Sequence, residues 1–112
     1  MDIQVESEGN HRIVHIKGKI TFEYCAELQS HFDSMLDETV QQVVIDFKEV
    51  PFIDSSGVGE VLRLFRRMQN TKGEVILANP NQKLRDLFSM YRFSQFMTIR
   101  DKEDPGINEN PR

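Results

Sequence analysis

The run "FIDSSGVGE", residues 52–60, gathers one carboxylate, two hydroxyls and two glycines at Asp54, Ser55, Ser56, Gly57 and Gly59. A serine attacks a substrate only where a base takes its proton and donors hold an oxyanion. Asp54 adjoins Ser55, but an ordinary carboxylate is a weak base toward an alcohol. The G-x-S-x-G elbow of serine hydrolases is absent, because Ile53 stands where its first glycine is needed. No Gly-Lys-Ser/Thr follows, so the run is not a phosphate-cradling P-loop. The chemistry left open is modification of a hydroxyl by another molecule. A helix start offers free N–H groups and partial positive charge, and a phosphoryl group on Ser55 or Ser56 would meet both. A local reading competes with this one. Asp54 or Ser55 would then only cap the helix, and the glycines would relieve packing. Each glycine costs about 0.5–1 kcal/mol relative to alanine inside a helix.

Few other residues carry chemistry. His11 and His15 are four apart, and on a strand that spacing separates them by about 13 Å, too far to share a metal. His31 stands alone. Cys25 is the one cysteine, so no internal disulfide forms, and no base adjoins it. Neither a metal nor a cofactor is expected. Phe22 and Tyr24 fit either core packing or an exposed anchor for a partner.

The elements that position these residues follow from periodicity. "IQVES" and "RIVHIKG" read as a hairpin with Gly9 and Asn10 in the turn. Residues 23–38 place Leu28, Phe32, Met35 and Leu36 at helical spacing, with Thr21 as N-cap. "QQVVIDF" is a nearly continuous apolar run, suited to a strand covered on both faces. A helix starts at about Ser55, with Val58, Val61, Leu62, Phe65 and Met68 as its buried face. Gly73 suits a left-handed position at its end. "EVILA" is a strand, Asn79 and Pro80 open a third helix, and "FMTI" is a last strand. The order β-β-α-β-α-β-α-β predicts an α/β fold, a mixed sheet of four to five strands with crossover helices. Residues 1–100 form one domain. From Asp101 on the chain is polar with two prolines, and residues 101–112 read as a disordered tail.

The whole chain narrows the function classes. It has 112 residues, 38% hydrophobic and 29% charged, enough for a core without disulfides. A net charge of −4 argues against direct nucleic-acid binding. The row Arg63, Arg66, Arg67 and Lys72 is either a basic patch or a solvated helix face. There is no signal-peptide pattern at the N-terminus and no apolar run of the ~20 residues that span a bilayer. A cytoplasmic protein without membrane insertion is expected.

The stretch "VVIDFKEVPFIDSSGVGEVLRLFRRMQNTKGEVILANPNQKLRDLF" resembles a STAS domain of the anti-sigma factor antagonist type. The resemblance covers about residues 3–100, and "IDF…V.FIDSSGVG…L" is its most specific part. It implies a non-enzymatic phosphoprotein in a partner-switching circuit of bacterial transcription regulation. The unphosphorylated form would bind an anti-sigma factor that is also a serine kinase, freeing a sigma factor. Phosphorylation would end binding, and a PPM-type serine phosphatase would reset the switch. The matching phosphoacceptor is Ser55, with Asp54, Ser56, Gly57, Val58, Gly59 and Thr21 on the partner-binding surface. Thr21, in "GKIT", stands where many antagonists carry an aspartate, and "SMYRF" replaces a common glycine-leucine pair. The same resemblance admits an alternative, a non-switching STAS scaffold in a stress-sensing assembly or a lipid-transport accessory.

Overall fold

The structure, a computed structural model, describes residues 1–101. Its five strands are β1 (Asp2–Glu8), β2 (His11–Lys17), β3 (Gln42–Glu49), β4 (Glu74–Ala78) and β5 (Thr98–Arg100). They form one sheet in the order β1-β2-β3-β4-β5, so strand order is chain order. β1 is antiparallel to β2, and every other pair is parallel. Helices α1 (Cys25–Met35), α2 (Ser55–Gln69) and α3 (Gln82–Met90) make the three crossovers. This is the mixed α/β architecture expected from the periodicities.

Local chemistry explains each element. Glu8 pairs with His11 across a two-residue turn. Gly9 takes φ +60 there, at the first of the two turn positions, where glycine is favoured. Val14, Ile16, Val43, Ile45, Phe47, Val75 and Leu77 alternate along their strands and all point to one face. Leu28, Phe32, Val61, Leu64, Leu84 and Phe88 from the three helices join them in one core. Phe88 stacks on Phe93 at 5.5 Å and tilts against Phe47 at 5.4 Å.

β3 is covered on one face only. Val44 and Asp46 lie on the open side and are half-buried, correcting the doubly covered strand. The face that α2 buries also differs from expectation. Leu64 is fully buried, while Leu62 and Phe65 are half-buried, so the stripe runs 57, 58, 61, 64, 68. At the end of α2 it is Lys72, not Gly73, that turns left-handed, at φ +57. Hydrogen bonds from Gly73 N–H to Met68 O (2.9 Å) and from Lys72 N–H to Gln69 O (3.1 Å) close the helix. Gly73 is needed for space, because a Cβ there would sit 2.5 Å from Met68 Cε and 2.9 Å from Gln41 O. α3 begins two residues later than expected. Asn81 caps it, accepting from Leu84 N–H at 2.8 Å, while Asn79 adopts φ +59 in the preceding turn. Asp101 is half-buried and its carboxylate pairs with Arg85, so order extends through it. The rest of the expected tail, residues 102–112, lies outside the described residues.

The basic row on α2 is partly spoken for. Arg63 and Arg67 both reach Asp33 on α1, at 3.1 and 2.5 Å. On the open face, His15 bridges two strands. Its Nδ1 lies 2.9 Å from Asp46 Oδ2, and its Nε2 meets Glu6. Asp46 also accepts from Asn79 (3.1 Å) and from the Lys48 N–H (3.0 Å). Burial works against a charged His15 ring, but hydrogen bonds to Glu6 and Asp46 outweigh it and raise its pKa above 6.5. Burial pushes Asp46 up, yet the bonds from Asn79, Lys48 and His15 bring it below 3.8.

The sign of the linkage follows for each group. A raised His15 pKa adds stability that is full below its unfolded value and is lost as pH rises through the folded value. A lowered Asp46 pKa adds stability present above its unfolded value and lost as pH falls through the folded one. The melting temperature should therefore decline as pH is raised from about 6 to about 8. In His15→Gln that decline should flatten, as read by thermal denaturation at a series of pH values.

Candidate functional site

The site forms where the β2–β3 ladder runs on past the sheet. β2 shifts register between His15 and Lys17. Pairing then continues through Gly18 N–H to Glu49 O (3.0 Å) and Ile20 N–H to Phe52 O (3.0 Å). Asp54 N–H returns to Ile20 O at 3.1 Å, and Ile20 and Ile53 form an isolated parallel bridge. Two chain segments about thirty residues apart are thus laced together at the carboxyl end of the sheet. Ligand sites of open α/β sheets gather at that end.

Asp54 is the joint. Its backbone is extended, at φ −96 and ψ −178, as an N-cap requires. Oδ1 accepts from Gly57 N–H at 3.0 Å, capping α2. Oδ2 accepts from Phe22 N–H at 3.1 Å, capping the single 3₁₀ turn of Phe22–Tyr24 that precedes α1. One carboxylate therefore satisfies two helix starts. Thr21 does not cap with its side chain, which corrects the expectation from sequence. Its hydroxyl instead donates to Glu23 at 2.6 Å and holds the Glu23 carboxyl below its ordinary range.

Ser55 is the first residue of α2 and is exposed. Ser56 is half-buried. Val58 faces the core at 3% exposure, and Gly57 is buried below the helix start. The two glycines answer to different demands. A Cβ on Gly57 would lie 2.6 Å from Ile53, 2.7 Å from the Ile20 side chain and 2.9 Å from Ile20 O. Gly57 lets the helix rest directly on the Ile20–Ile53 bridge. A Cβ on Gly59 would meet nothing within 4 Å. Gly59 stands one turn beyond Ser55 on the same face, and packing within the chain does not require it. One turn beyond Ser56 stands Glu60, whose Oε1 is buried without a hydrogen bond among the described residues.

The flanks were only partly legible from sequence. Phe22 is 77% exposed and does not pack in the core. Phe52 is 37% exposed and carries Lys83 Nζ over its ring at 5.6 Å. Cys25 is half-buried, with Sγ directed to Thr21 O at 3.6 Å. Burial, then Glu60, Asp54 and Glu23, push its thiol pKa up, which lowers the share of thiolate. His15 lies on the open face of the sheet between the Glu6 and Asp46 carboxylates. No cluster of three metal-binding side chains occurs among the described residues. Among them, no helix is long and apolar enough to cross a membrane.

Comparison with known proteins bears on the fold and the family. The family model of the STAS domain matches residues 2–105. An anti-sigma F factor antagonist of Paenibacillus polymyxa is 27% identical over 118 residues, covering 97% of this chain and 96% of that one. The unphosphorylated anti-sigma factor antagonist SpoIIAA superposes with a TM-score of 0.72 at 22% identity, covering 88% of this chain and 86% of the other. Its phosphorylated Bacillus form also gives 0.72, at 23% identity and coverages of 88% and 90%. A Thermotoga maritima protein solved as an anti-sigma factor antagonist candidate gives 0.81 at 18% identity, covering 88% and 86%.

Three substitutions test the local account by denaturant unfolding. Gly57→Ala should cost about 1–3 kcal/mol through overpacking against the bridge. Gly59→Ala should add about 0.5–1 kcal/mol of stability, since nothing opposes the methyl. Asp54→Ala should cost about 1–2 kcal/mol, the scale of a lost N-cap.

Proposed function

The chain belongs to the STAS domain family, and we propose that within it this protein is an anti-sigma factor antagonist switched by phosphorylation of Ser55. The unphosphorylated form binds an anti-sigma factor that is also a serine kinase, and a sigma factor is released. In the modification step Ser55 Oγ bonds to the γ-phosphorus of ATP. The bond to the ADP oxygen breaks, and the serine proton leaves to a base of the kinase. Magnesium accompanies the nucleotide on the kinase, and a PPM-type phosphatase hydrolyses the phosphoserine. The protein is the substrate in this cycle rather than the catalyst, acts in the cytoplasm and touches no nucleic acid directly.

The observation that carries this reading is an exposed hydroxyl on the first residue of α2 with a bare glycine one turn beyond it. Ser55 can enter another protein's catalytic cleft, and Gly59 leaves room for that protein to close over it. Ser56 is the weaker acceptor on the same grounds. It is half-buried, and a phosphate there would share a face with the Glu60 carboxylate. Phosphate on Ser55 adds about −1.5 to −2 charges. The nearest cap oxygens belong to Asp54, which repels it and already takes the Gly57 N–H. Inside a tight contact the dianion is costly to desolvate, and its volume fills the space above Gly59. Release then follows without refolding, because the Asp54 bonds and the glycine packing stay in place.

The reading is tested by incubating the protein with ATP and the serine kinases of its own genome, then mapping the product by mass spectrometry. Phosphate should appear on Ser55, and Ser55→Ala should lose the label while still binding the kinase. The phosphorylated protein should bind at least tenfold more weakly. Label that persists in Ser55→Ala, or equal affinity of the two forms, overturns the assignment.

A further inference from the structure

Phe22 leaves 77% of its surface in solvent, yet the backbone beneath it is held on both sides. Its N–H donates to Asp54 Oδ2, and Tyr24 N–H donates to Thr21 O at 2.9 Å. Two residues earlier, Ile20 is tied to Phe52. Phe52 has Lys83 over its ring and is 37% exposed, whereas Thr21 and Glu23 on either side of Phe22 bond to each other and leave its ring 77% exposed. A large ring on a fixed backbone loses little freedom when a partner buries it, and such aromatics are typical binding hot spots.

The charges beside it are mostly acidic, with Lys19 as a cation among them. Glu23 and Glu27 are exposed one turn apart, and Glu60, Asp54 and Glu23 lie close enough to Cys25 to add to the rise that burial gives its thiol pKa. Lys19 is the cation acting on Glu23. Building on the partner-switching reading, we propose that Phe22 is the anchor of this surface: it seats in an apolar socket of the anti-sigma kinase, and lysine or arginine side chains rim that socket. A cationic rim alone would welcome a phosphate. Exclusion of the phosphorylated form must therefore come from the Ser55–Gly59 face, which has to close against the partner without intervening side chains. The contact has two parts. An anchor on the 3₁₀ turn sets which partner fits, and a bare face on α2 senses the modification.

The test uses the full chain and the purified kinase that labels Ser55, with Kd measured by titration calorimetry. Phe22→Ala should weaken binding roughly tenfold or more, the scale of a lost hot-spot aromatic, while its melting temperature stays that of the parent. Phe22→Leu should recover most of the affinity. Glu27→Lys should weaken binding and reduce its dependence on salt. Phe22→Ala binding within twofold of the parent overturns the anchor, and if phosphorylation still releases the kinase the switch itself stands. A switch that fails while Phe22→Ala still weakens binding leaves the anchor and removes the phosphate mechanism. Glu27→Lys binding as tightly as the parent, or more tightly, overturns the cationic rim. Sedimentation in which the parent dimerises and Phe22→Ala does not assigns the ring to a second copy of the chain and overturns the kinase socket.

Discussion

One carboxylate organises this corner of the molecule. Asp54 lies between two helix starts that come from distant parts of the chain, and it bonds an N–H of each. Without it, both starts would expose unpaired donors, and the 3₁₀ turn would lose its link to α2. With it, Phe22 and Ser55 keep a constant relation although 32 residues separate Phe22 from Asp54. A carboxylate suits this task better than a neutral cap. It has two acceptor oxygens, and its charge complements the positive ends of both helices.

The two glycines show how one residue type serves opposite ends within a single helical turn. Gly57 faces inward, where the absence of a side chain brings α2 onto backbone and makes the site rigid. Gly59 faces outward, where the same absence leaves the surface open and weakens the helix slightly. A chain selected only for stability would place alanine at position 59. Packing within the chain does not account for the glycine there.

What could be read from the sequence divides along physical lines. The element order and the helix start at Ser55 were legible because apolar period and cap chemistry are local. The carboxylate, hydroxyl and glycine at 54–57 could be located but not interpreted, since capping and function use the same residues. The stripe on α2 was misread because Leu62, Leu64 and Phe65 all fit a helical period within one residue, and only the neighbours decide which is buried. "ANPNQ" offers two asparagines as caps, and the left-handed turn at Asn79 leaves the role to Asn81. Thr21 looked like a cap by type, but its hydroxyl donates to Glu23 and its backbone oxygen, not its side chain, takes the Tyr24 N–H. Phe22 was ambiguous too, since nothing local says that an aromatic before an amphipathic helix stays outside. Long-range contacts leave no mark in a window of ten or fifteen residues.

Strand order that repeats chain order has a bearing on how this molecule is made. Each strand hydrogen-bonds the one synthesised just before it, so no strand waits for a distant partner to leave the ribosome. Assembly can proceed by accretion, the hairpin first and then one helical crossover at a time. The corner that Asp54 organises has all its residues once α2 has emerged, before β4 and β5 do. A nascent chain could therefore present this corner while its last strands are still in the tunnel.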